Sequence, residues 1–488
     1  MVALLNYLLG GLATAGVAVV AAPTPDDLRE PAVTARTTTT TTTTTTHKLQ
    51  ARAPAVAHSR NTLPLTRRMV HNRMPRPFMR SQLRQAIAFP ETGPGSNATA
   101  DGGVGVGSAI AAANQIEYIT SVQAGSNNLS LIIDTGSSDT WFVKEGFQCL
   151  DPQYRQPTTA EVCEFGPPFK GDFPGGQITN QHFNVTYGSV NGPFLNGLMG
   201  YSDLGVANIV ARKQQIGLAT RGAWNGDGIT SGILGLGLPG LTAAYTGVDA
   251  ALDSTRTAVE YNPLVVTLAA QNMSVFSLAL SRDPHDSYVS FGGVPPNVQT
   301  VGPWVTTSMQ KIALRTGDPR YMYYQIAVDR MSWNSSLLNA TDSALPDFIV
   351  DSGTTMNLLP YDIARSINSM FTPHAMYDPD QQTWFVRCDA KAPDFGIEIG
   401  GHMFWTDPAS MILPHVRDQN GLCISGIGVT SGFPYILGDV FMQQLVTAFD
   451  VTNMQIKFAK RANTAPAPAP APAAPMHMAT DPESEGVY

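Results

Sequence analysis

Short apolar runs that alternate with polar residues recur between about residue 115 and residue 460 of this 488-residue chain. Clear examples are Tyr118–Val122, Val275–Leu280 and Ser287–Gly293. A period of two is typical of β-strands with one buried face. Helical periodicity is scarce, and Tyr361–Phe371 is the clearest candidate for a helix. The pattern predicts an all-β fold.

Two of the apolar runs end in the same residue pattern. Ile132-Ile133 leads into Asp134-Thr135-Gly136-Ser137, and Ile349-Val350 leads into Asp351-Ser352-Gly353-Thr354. An acid, a hydroxyl and a glycine suit a tight turn that presents the carboxylate to small hydrogen-bond donors. One such triplet is usually a surface turn, but two copies that each follow a strand are not expected by chance.

An apolar-apolar-glycine run follows each acid roughly one hundred residues later, in Gly232–Gly237 and in Tyr435–Asp439. The chain therefore looks like two copies of one half, each giving one acid to a shared site. Two carboxyl groups at contact distance cannot both ionise readily. The pair would share one proton and so provide an acid and a base side by side.

These motifs resemble those of the pepsin-like aspartic proteases, including the secreted fungal members, over about residues 115 to 460. The family's two signatures are similar to Ile133–Trp141 and Val350–Thr355. The family's closing strands are similar to Tyr435–Phe441, Ala448–Asp450 and Ile456–Ala459. The resemblance implies two pseudo-symmetric β lobes with a cleft between them. We place the N-terminal lobe at residues 111–303 and the C-terminal lobe at 304–461.

The resemblance also implies a role for each residue of the two motifs. Asp134 and Asp351 would hold one water molecule and activate it to attack a peptide carbonyl. The groups around them would support the two acids. Thr135 and Ser352 would bond across to the opposite loop, Ser137 and Thr354 would donate to the outer carboxylate oxygens, and Gly136 and Gly353 would complete the turns.

A β-hairpin is predicted around Tyr187-Gly188-Ser189, where the family carries a flap that closes over the substrate. In the family pattern Tyr187 would pack beside the cleft and hydrogen-bond toward the indole of Trp141. An ordinary surface hairpin is the alternative interpretation. Because this tip carries no charge, hydrophobic residues beside the cut bond are favoured over basic ones.

The two ends of the chain differ from its body. Residues 1–21 are almost wholly apolar and end in small residues of the kind found at signal cleavage sites, which predicts a signal peptide. An uncleaved anchor is the alternative, because no Lys or Arg precedes the apolar run. Residues 22–110 are predicted to be a basic, low-complexity propeptide and linker. Residues 462–488 are predicted to be a disordered tail rich in Pro and Ala.

Charge supports the propeptide interpretation. Residues 23–90 hold eleven Lys and Arg against three acids, a net charge of +8, while the whole chain carries −8 and the rest therefore −16. A basic leader before an acidic body suggests an intramolecular inhibitor that acidification releases. A disordered, O-glycosylated spacer is the alternative.

Four cysteines fit an oxidising route, and metal ligation is the alternative interpretation. The family resemblance implies the pairs Cys149–Cys163 and Cys388–Cys423. Six sequons allow N-linked glycans without showing their occupancy. They are Asn97, Asn128, Asn184, Asn272, Asn334 and Asn339.

Other classes of function fit the sequence less well. Gly235–Gly240 has dinucleotide-binding spacing, but Pro239 and the irregular sequel do not suit the helix that such a site needs. The acidic body argues against nucleic acid. No cofactor and no metal are expected, no membrane span is expected after signal removal, and a monomer is predicted.

We therefore predict a secreted aspartic endopeptidase, made as a zymogen and active at roughly pH 3 to 5, where a carboxyl pair is singly protonated. Its partners would be peptide or protein substrates and its own propeptide. The predicted location is extracellular, with the vacuole or the cell wall as alternatives. A catalytically inactive cell-surface peptide-binding homologue and a processing protease for basic sites are the alternative functions.

Overall fold

The computed structural model describes residues 18–19, 106–107 and 117–462, apart from 152–153, 189–191, 283–285, 297, 314–317, 334–335, 340–344, 380–381, 419, 431 and 433. Strands dominate it, which confirms the predicted all-β class. The predicted signal peptide, propeptide and tail lie almost wholly outside the described residues. Among the described residues, no helix is long and apolar enough to cross a bilayer.

The strands fall into two series along the chain. The first series is β1 (Ala18–Val19), β2 (Val106–Gly107), β3 (Ile119–Ala124), β4 (Asn127–Asp134), β5 (Thr140–Cys149), β6 (Gln177–Tyr187), β7 (Phe194–Val206), β8 (Ile209–Ala223), β9 (Gly232–Gly235), β10 (Ala244–Thr246), β11 (Ala258–Val259), β12 (Val275–Ala279), β13 (Tyr288–Phe291) and β14 (Thr300–Ser308). The second series is β15 (Gln325–Ile326), β16 (Arg330–Trp333), β17 (Ser336–Asn339), β18 (Phe348–Val350), β19 (Asn357–Pro360), β20 (Met376–Asp378), β21 (Thr383–Val386), β22 (Phe395–Ile399), β23 (His402–Thr406), β24 (Ile412–Arg417), β25 (Cys423–Ser425), β26 (Ile427–Thr430), β27 (Tyr435–Leu437), β28 (Leu445–Asp450) and β29 (Gln455–Arg461).

Helices are few and short. They are α1 (Ala160–Cys163), α2 (Leu264–Ala270), α3 (Tyr361–Asn368) and α4 (Asp439–Met442), with 3₁₀ turns at Pro239–Leu241, Ala250–Leu252 and Pro408–Met411. The predicted helix at 361–371 begins as expected but ends at Asn368. The buried Asn368 amide donates to the Ala364 carbonyl, 2.9 Å away, and to the Ile427 carbonyl, 3.0 Å away. This side chain therefore ties the end of α3 to the first residue of β26.

Ten strands of the first series form one large sheet in the order β11-β10-β6-β7-β3-β4-β9-β5-β8, with β1 also paired to β6. Strands β15-β18-β27-β19-β26 form a smaller sheet. Two sheets of four strands each, β17-β16-β22-β23 and β20-β21-β25-β24, also come from the second series. Six strands from both series, β14-β29-β28-β12-β13-β2, form a sheet that joins the halves. The boundary predicted between residues 303 and 304 falls inside β14 of this joining sheet.

The two halves place their acids by the same topology. Strand β4 ends at Asp134 and runs parallel to β9, with Asp134 opposite Gly235. Strand β18 ends just before Asp351 and runs parallel to β27, with Val350 opposite Leu437. The repeated apolar-glycine runs of the sequence are therefore the strands that flank the two acid-bearing strands.

The glycines of those runs are needed because backbone passes very close to them. A Cβ on Gly235 would lie 2.5 Å from the Ser138 carbonyl carbon, and a Cβ on Gly438 would lie 2.3 Å from the Thr354 oxygen. Both neighbours belong to the acid-bearing loops. Any side chain at either position would push its loop away, since real Cβ atoms do not approach backbone so closely.

One large apolar core extends through both halves, and a second cluster lies within the first sheet. The second cluster includes Phe183, Trp141, Tyr187 and Trp224, and it contacts the Cys149–Cys163 disulfide. Both disulfides, Cys149–Cys163 and Cys388–Cys423, have the pairing implied by the family resemblance. In the chain-entropy description each loop closure stabilises the fold by about 3 to 4 kcal/mol.

Candidate active site

The carboxyl groups of Asp134 and Asp351 meet at the junction of the two halves. Both residues are fully buried. The two carboxyl groups lie close enough to interact, since each affects the pKa of the other. The structure therefore brings together the two acids that the sequence pattern singled out.

Each acid accepts hydrogen bonds from a backbone N–H and from a hydroxyl of its own turn. Asp134 accepts from the Gly136 backbone N–H at 2.7 Å and from the Ser137 hydroxyl. Asp351 accepts from the Gly353 backbone N–H at 2.9 Å and from the Thr354 hydroxyl at 2.7 Å. The two donor sets are equivalent, so the turns hold the two carboxyl groups in equivalent ways.

The two loops are also tied to each other by their hydroxyl residues. The Thr135 hydroxyl donates to the Val350 carbonyl at 3.0 Å and accepts from the Ser352 N–H at 2.9 Å. The Ser352 hydroxyl donates to the Ile133 carbonyl at 2.9 Å and accepts from the Thr135 N–H at 3.3 Å. This reciprocal network fixes the separation of the acids because each loop is anchored on the strand of the other.

Burial sets the protonation of the pair. Burial raises the pKa of Asp134, although hydrogen bonds from Ser137 and Gly136 partly oppose the shift. Burial raises the pKa of Asp351 well above its usual range, and the negative charge of Asp134 raises it further. Between its two titrations the pair holds one proton, and the larger upward shift of the Asp351 pKa places that proton mainly on Asp351.

The predicted flap tyrosine lies directly against this site. Tyr187 is buried, and its hydroxyl accepts from the Trp141 indole N–H at 2.7 Å. Burial raises the pKa of Tyr187, and the Ser137 hydroxyl, which donates to Asp134, lies close enough to oppose that shift. Gly188 follows in the left-handed region, with φ of 70°. Ser189, at the tip of the predicted flap, lies outside the described residues.

A third buried acid, Asp139, was not assigned a role by sequence reasoning. Both of its carboxylate oxygens accept from the Ala243 N–H at 3.0 Å, and Oδ1 accepts from the Tyr261 hydroxyl at 2.6 Å. Burial raises the pKa of Asp139 to about 6, against the opposing effect of these bonds. The sequence contained one sign of this role. Asp139 is an acid five positions after Asp134, among residues that are otherwise apolar or carry hydroxyl groups.

Two more buried carboxyl groups lie on the same side. The antiparallel register of β3 and β4, in which Ile119 faces Ile132, puts Glu117 near Asp134 when continued by two residues. Burial, followed by the negative charges of Asp227 and Asp134, raises the pKa of Glu117 to about 8. Asp227 accepts three hydrogen bonds on Oδ1, from Ile229 and Thr230, while its Oδ2 is buried without a partner.

The sequons differ in their surroundings. Asn97 and Asn334 lie outside the described residues, and Asn339 lies on β17 with its side chain not described. Asn128 and Asn272 are exposed. The Asn184 amide is engaged at both ends: Nδ2 donates to Asp253 at 2.7 Å, and Oδ1 accepts from Asn196 at 2.7 Å.

We expect no glycan at Asn184, because a glycan on Nδ2 would break its hydrogen bond to Asp253. The same Asp253 oxygen lies 2.9 Å from Nε2 of the buried His182, so the bond is part of a packed polar group. Peptide mapping by mass spectrometry of protein from a glycosylating host tests this. A glycopeptide at Asn184 would contradict it, whereas Asn128 and Asn272 serve as exposed comparison sites.

Comparison with known proteins identifies the family. The family description "Eukaryotic aspartyl protease" matches residues 117–461. A probable aspartic-type endopeptidase of Aspergillus fumigatus is 32% identical over 365 residues, which cover 72% of this chain and 80% of that protein. Pepsin A of Gallus gallus is 27% identical over 347 residues, covering 69% and 81%. The chain belongs to the eukaryotic aspartyl protease family.

A solved structure shows the same fold. The aspartic proteinase from Irpex lacteus aligns with a TM-score of 0.54 at 21% identity, covering 74% of this chain and 98% of that one. Together with the family match, this makes the protein an aspartic-type endopeptidase that acts on peptide bonds. The alternative of a binding protein without catalysis is not favoured. Within the described ranges, no three His, Cys, Asp or Glu side chains are grouped to hold a metal ion.

Proposed function

We propose that this endopeptidase works in acid and that Asp134 and Asp351 together activate the water that cleaves the peptide. The observation that carries the proposal is that reciprocal bonds between Thr135 and Ser352 bring the two buried carboxyl groups together, each held by equivalent donors. A shared proton gives the site one carboxylate and one carboxylic acid at the same time. The pair functions only while it keeps that single proton.

In the proposed mechanism a water molecule lies between the two acids. The Asp134 carboxylate takes a proton from this water as its oxygen attacks the peptide carbonyl, and protonated Asp351 hydrogen-bonds to the carbonyl oxygen. The carbonyl becomes a tetrahedral centre bearing two hydroxyl groups. Asp351 supplies the proton of the second hydroxyl. Asp134 then gives the proton it took from the water to the amine nitrogen, and Asp351 takes a proton back from one hydroxyl as the C–N bond breaks. One new carboxyl and one new amine form without a covalent enzyme intermediate, and the pair again holds one proton.

We propose a preference for hydrophobic residues beside the cut bond. One tyrosine from each half approaches the two acids. Tyr187 lies on the Asp134 side. Tyr323 lies on the other side: burial raises its pKa above the usual range, and the negative charge of nearby Asp351 raises that pKa further. Uncharged aromatic side chains favour apolar substrate residues over charged ones.

We also propose that the protein is secreted as a zymogen. The net charge of +8 in residues 23–90 and of −16 in the remaining chain supports a leader held on the body by opposite charge. The two disulfides support passage through an oxidising compartment. In this proposal residues 1–21 direct secretion, 22–110 inhibit, 111–303 and 304–461 form the lobes, and 462–488 form a tail.

Acidification of the purified precursor tests the proposal. At about pH 4 we expect removal of the leader and cleavage of a peptide library beside hydrophobic residues, because acid neutralises the carboxylates that hold the basic leader. Sequencing of the new N-terminus and mass spectrometry of the library give the readouts. The matched control is the precursor with Asp134→Asn, which should do neither.

Two outcomes would contradict the proposal. Cleavage of the library by the unprocessed precursor at neutral pH would exclude an acid-released inhibitor. A cleavage pattern dominated by Lys and Arg would replace the hydrophobic preference with the processing of basic sites.

A further inference from the structure

The loop closed by Cys149–Cys163 carries an arginine in an unusual backbone conformation. Arg155 has φ of 56°, in the left-handed region that non-glycine residues seldom occupy. Its N–H donates to the Asp151 carbonyl at 2.8 Å, and the Thr158 N–H donates to the Cys149 carbonyl at 2.9 Å. A left-handed residue costs on the order of 1 kcal/mol, so other contacts must hold Arg155 in place.

Those contacts are made to the hairpin that carries Tyr187. The Arg155 guanidinium lies 4.2 Å from the centroid of the Phe194 ring, at the first residue of β7. Its Nη2 also donates to the Gly192 carbonyl at 3.0 Å. A guanidinium over an aromatic face is attracted by the ring, and the hydrogen bond fixes its direction. Arg155 therefore contacts both the first residue of β7 and the residue two positions before it.

The segment that Arg155 contacts, residues 192–194, positions Tyr187. The Tyr187 N–H donates to the Pro193 carbonyl at 2.9 Å, between the two residues that Arg155 contacts. Thr186 is paired with Phe194 in the antiparallel register. The Tyr187 hydroxyl lies near the Ser137 hydroxyl, which donates to Asp134. A continuous set of contacts thus links the disulfide-closed loop to a catalytic acid.

We propose that Arg155 is a positioning residue for peptide hydrolysis: from the Cys149–Cys163 loop it holds residues 192–194, and through them it keeps Tyr187 against the cleft. It touches neither the two acids nor the reacting atoms. The effect on hydrolysis rests on the proposed role of the Asp134 and Asp351 pair. The mechanical link itself is independent of that role.

The test compares Arg155→Met, which keeps the aliphatic stem, with Arg155→Lys, which keeps a cation over the ring. Loss of one ring contact and one hydrogen bond predicts a decrease in kcat/KM of about 5- to 30-fold for Arg155→Met, mostly through KM. Arg155→Lys should recover part of the loss. Phe194→Leu should show the part of the loss that comes from the ring contact, and the double variant should be no worse than Arg155→Met.

Hydrogen exchange gives a readout that does not depend on activity. In Arg155→Met the Tyr187 amide should exchange faster by a similar factor, while the melting temperature stays within about 2 °C of the wild-type value, since a half-exposed contact contributes little to global stability. Arg212→Met is the matched control. It removes an exposed arginine paired with Asp203 at 3.3 Å on the same sheet and should change neither quantity.

The outcomes separate the two proposals. An inactive wild-type enzyme with faster Tyr187 exchange in Arg155→Met would refute the proposed function and leave the link between loop and hairpin standing. An active enzyme in which Arg155→Met changes neither KM nor Tyr187 exchange would overturn the positioning role. Additive losses in the Arg155 and Phe194 double variant would also overturn it, because they would show that the residues act separately.

Discussion

Replacing either Asp134 or Asp351 by Asn is expected to lower kcat for peptide hydrolysis by at least about 10³-fold, with KM changed much less. General acid and base groups each contribute about 10²- to 10⁴-fold, and here each change removes one member of a pair that acts as a unit. The amide in Asp134→Asn could not accept the water proton, and the amide in Asp351→Asn could not supply the shared one. Steady-state kinetics on one chromogenic peptide at about pH 4 measures both parameters.

The control for this prediction must separate lost chemistry from lost structure. Asp249→Asn changes an exposed acid that accepts from the Ala251 N–H at 3.0 Å, far from the pair in sequence and outside the site, so it should keep wild-type rates. Both site variants should remain folded, because Asn relieves the cost of a buried charge. Full activity in either folded site variant would refute the proposed mechanism.

Stability of the mature enzyme is expected to fall as pH rises from about 4 to about 8. The pKa of Glu117 is raised by burial from 4.5 to about 8, and that of Asp139 from 3.8 to about 6. A raised carboxyl pKa means that the folded state binds the proton more tightly than the unfolded state does. The stabilisation is fully present below the unfolded pKa and is lost as pH rises through the folded pKa.

Glu117 and Asp139 should lower the stability of the folded state in different pH ranges. Each unit of pKa shift corresponds to about 1.4 kcal/mol, so each of these groups contributes on the order of a few kcal/mol to the pH dependence of unfolding. Stability linked to Asp139 should be lost between pH 3.8 and about 6, and stability linked to Glu117 between pH 4.5 and about 8. Melting temperatures measured across this range should therefore decrease toward neutral pH.

Single substitutions can assign the two ranges. Glu117→Gln should flatten the stability profile between about pH 6 and 8, and Asp139→Asn should flatten its lower part, because an amide does not titrate. Both variants are compared with the wild type by thermal unfolding of the mature enzyme. A wild-type profile that rises from pH 4 to 8, or a Glu117→Gln profile identical to wild type, would contradict the expected effect of these buried acids.

Local sequence patterns predicted the parts of this protein that are built within one turn or one strand. Alternating runs gave β3, β12 and β13 within one or two residues of their ends. The acid, hydroxyl and glycine order sufficed for each turn, because the Gly136 N–H and the Ser137 hydroxyl reach the acid two or three residues away. The helix at 361–371 was placed correctly and was overextended by three residues.

Contacts between distant residues were less predictable unless a repeated motif marked both partners. The twin motifs marked Asp134 and Asp351, which are far apart in the chain. Nothing in Tyr261 indicated that it would donate to Asp139, 122 residues earlier. Strand β10 was also missed, because its pairing with β6 depends on where the chain returns rather than on its own three residues.

The contact between Arg155 and Phe194 could not be predicted from the sequence for a different reason. Arg155 and Phe194 lie 39 residues apart, and no repeated motif or period in the sequence marks a contact between them. Only the folded disulfide loop brings the guanidinium to the ring.

The central claim is that Asp134 and Asp351 share one proton. Neutron diffraction from deuterium-exchanged crystals of the mature enzyme at about pH 5 tests this most directly. We expect one deuteron on the pair, associated mainly with Asp351 and directed toward Asp134. Two deuterated acids, two ionised acids, or carboxyl groups turned away from each other would contradict the account.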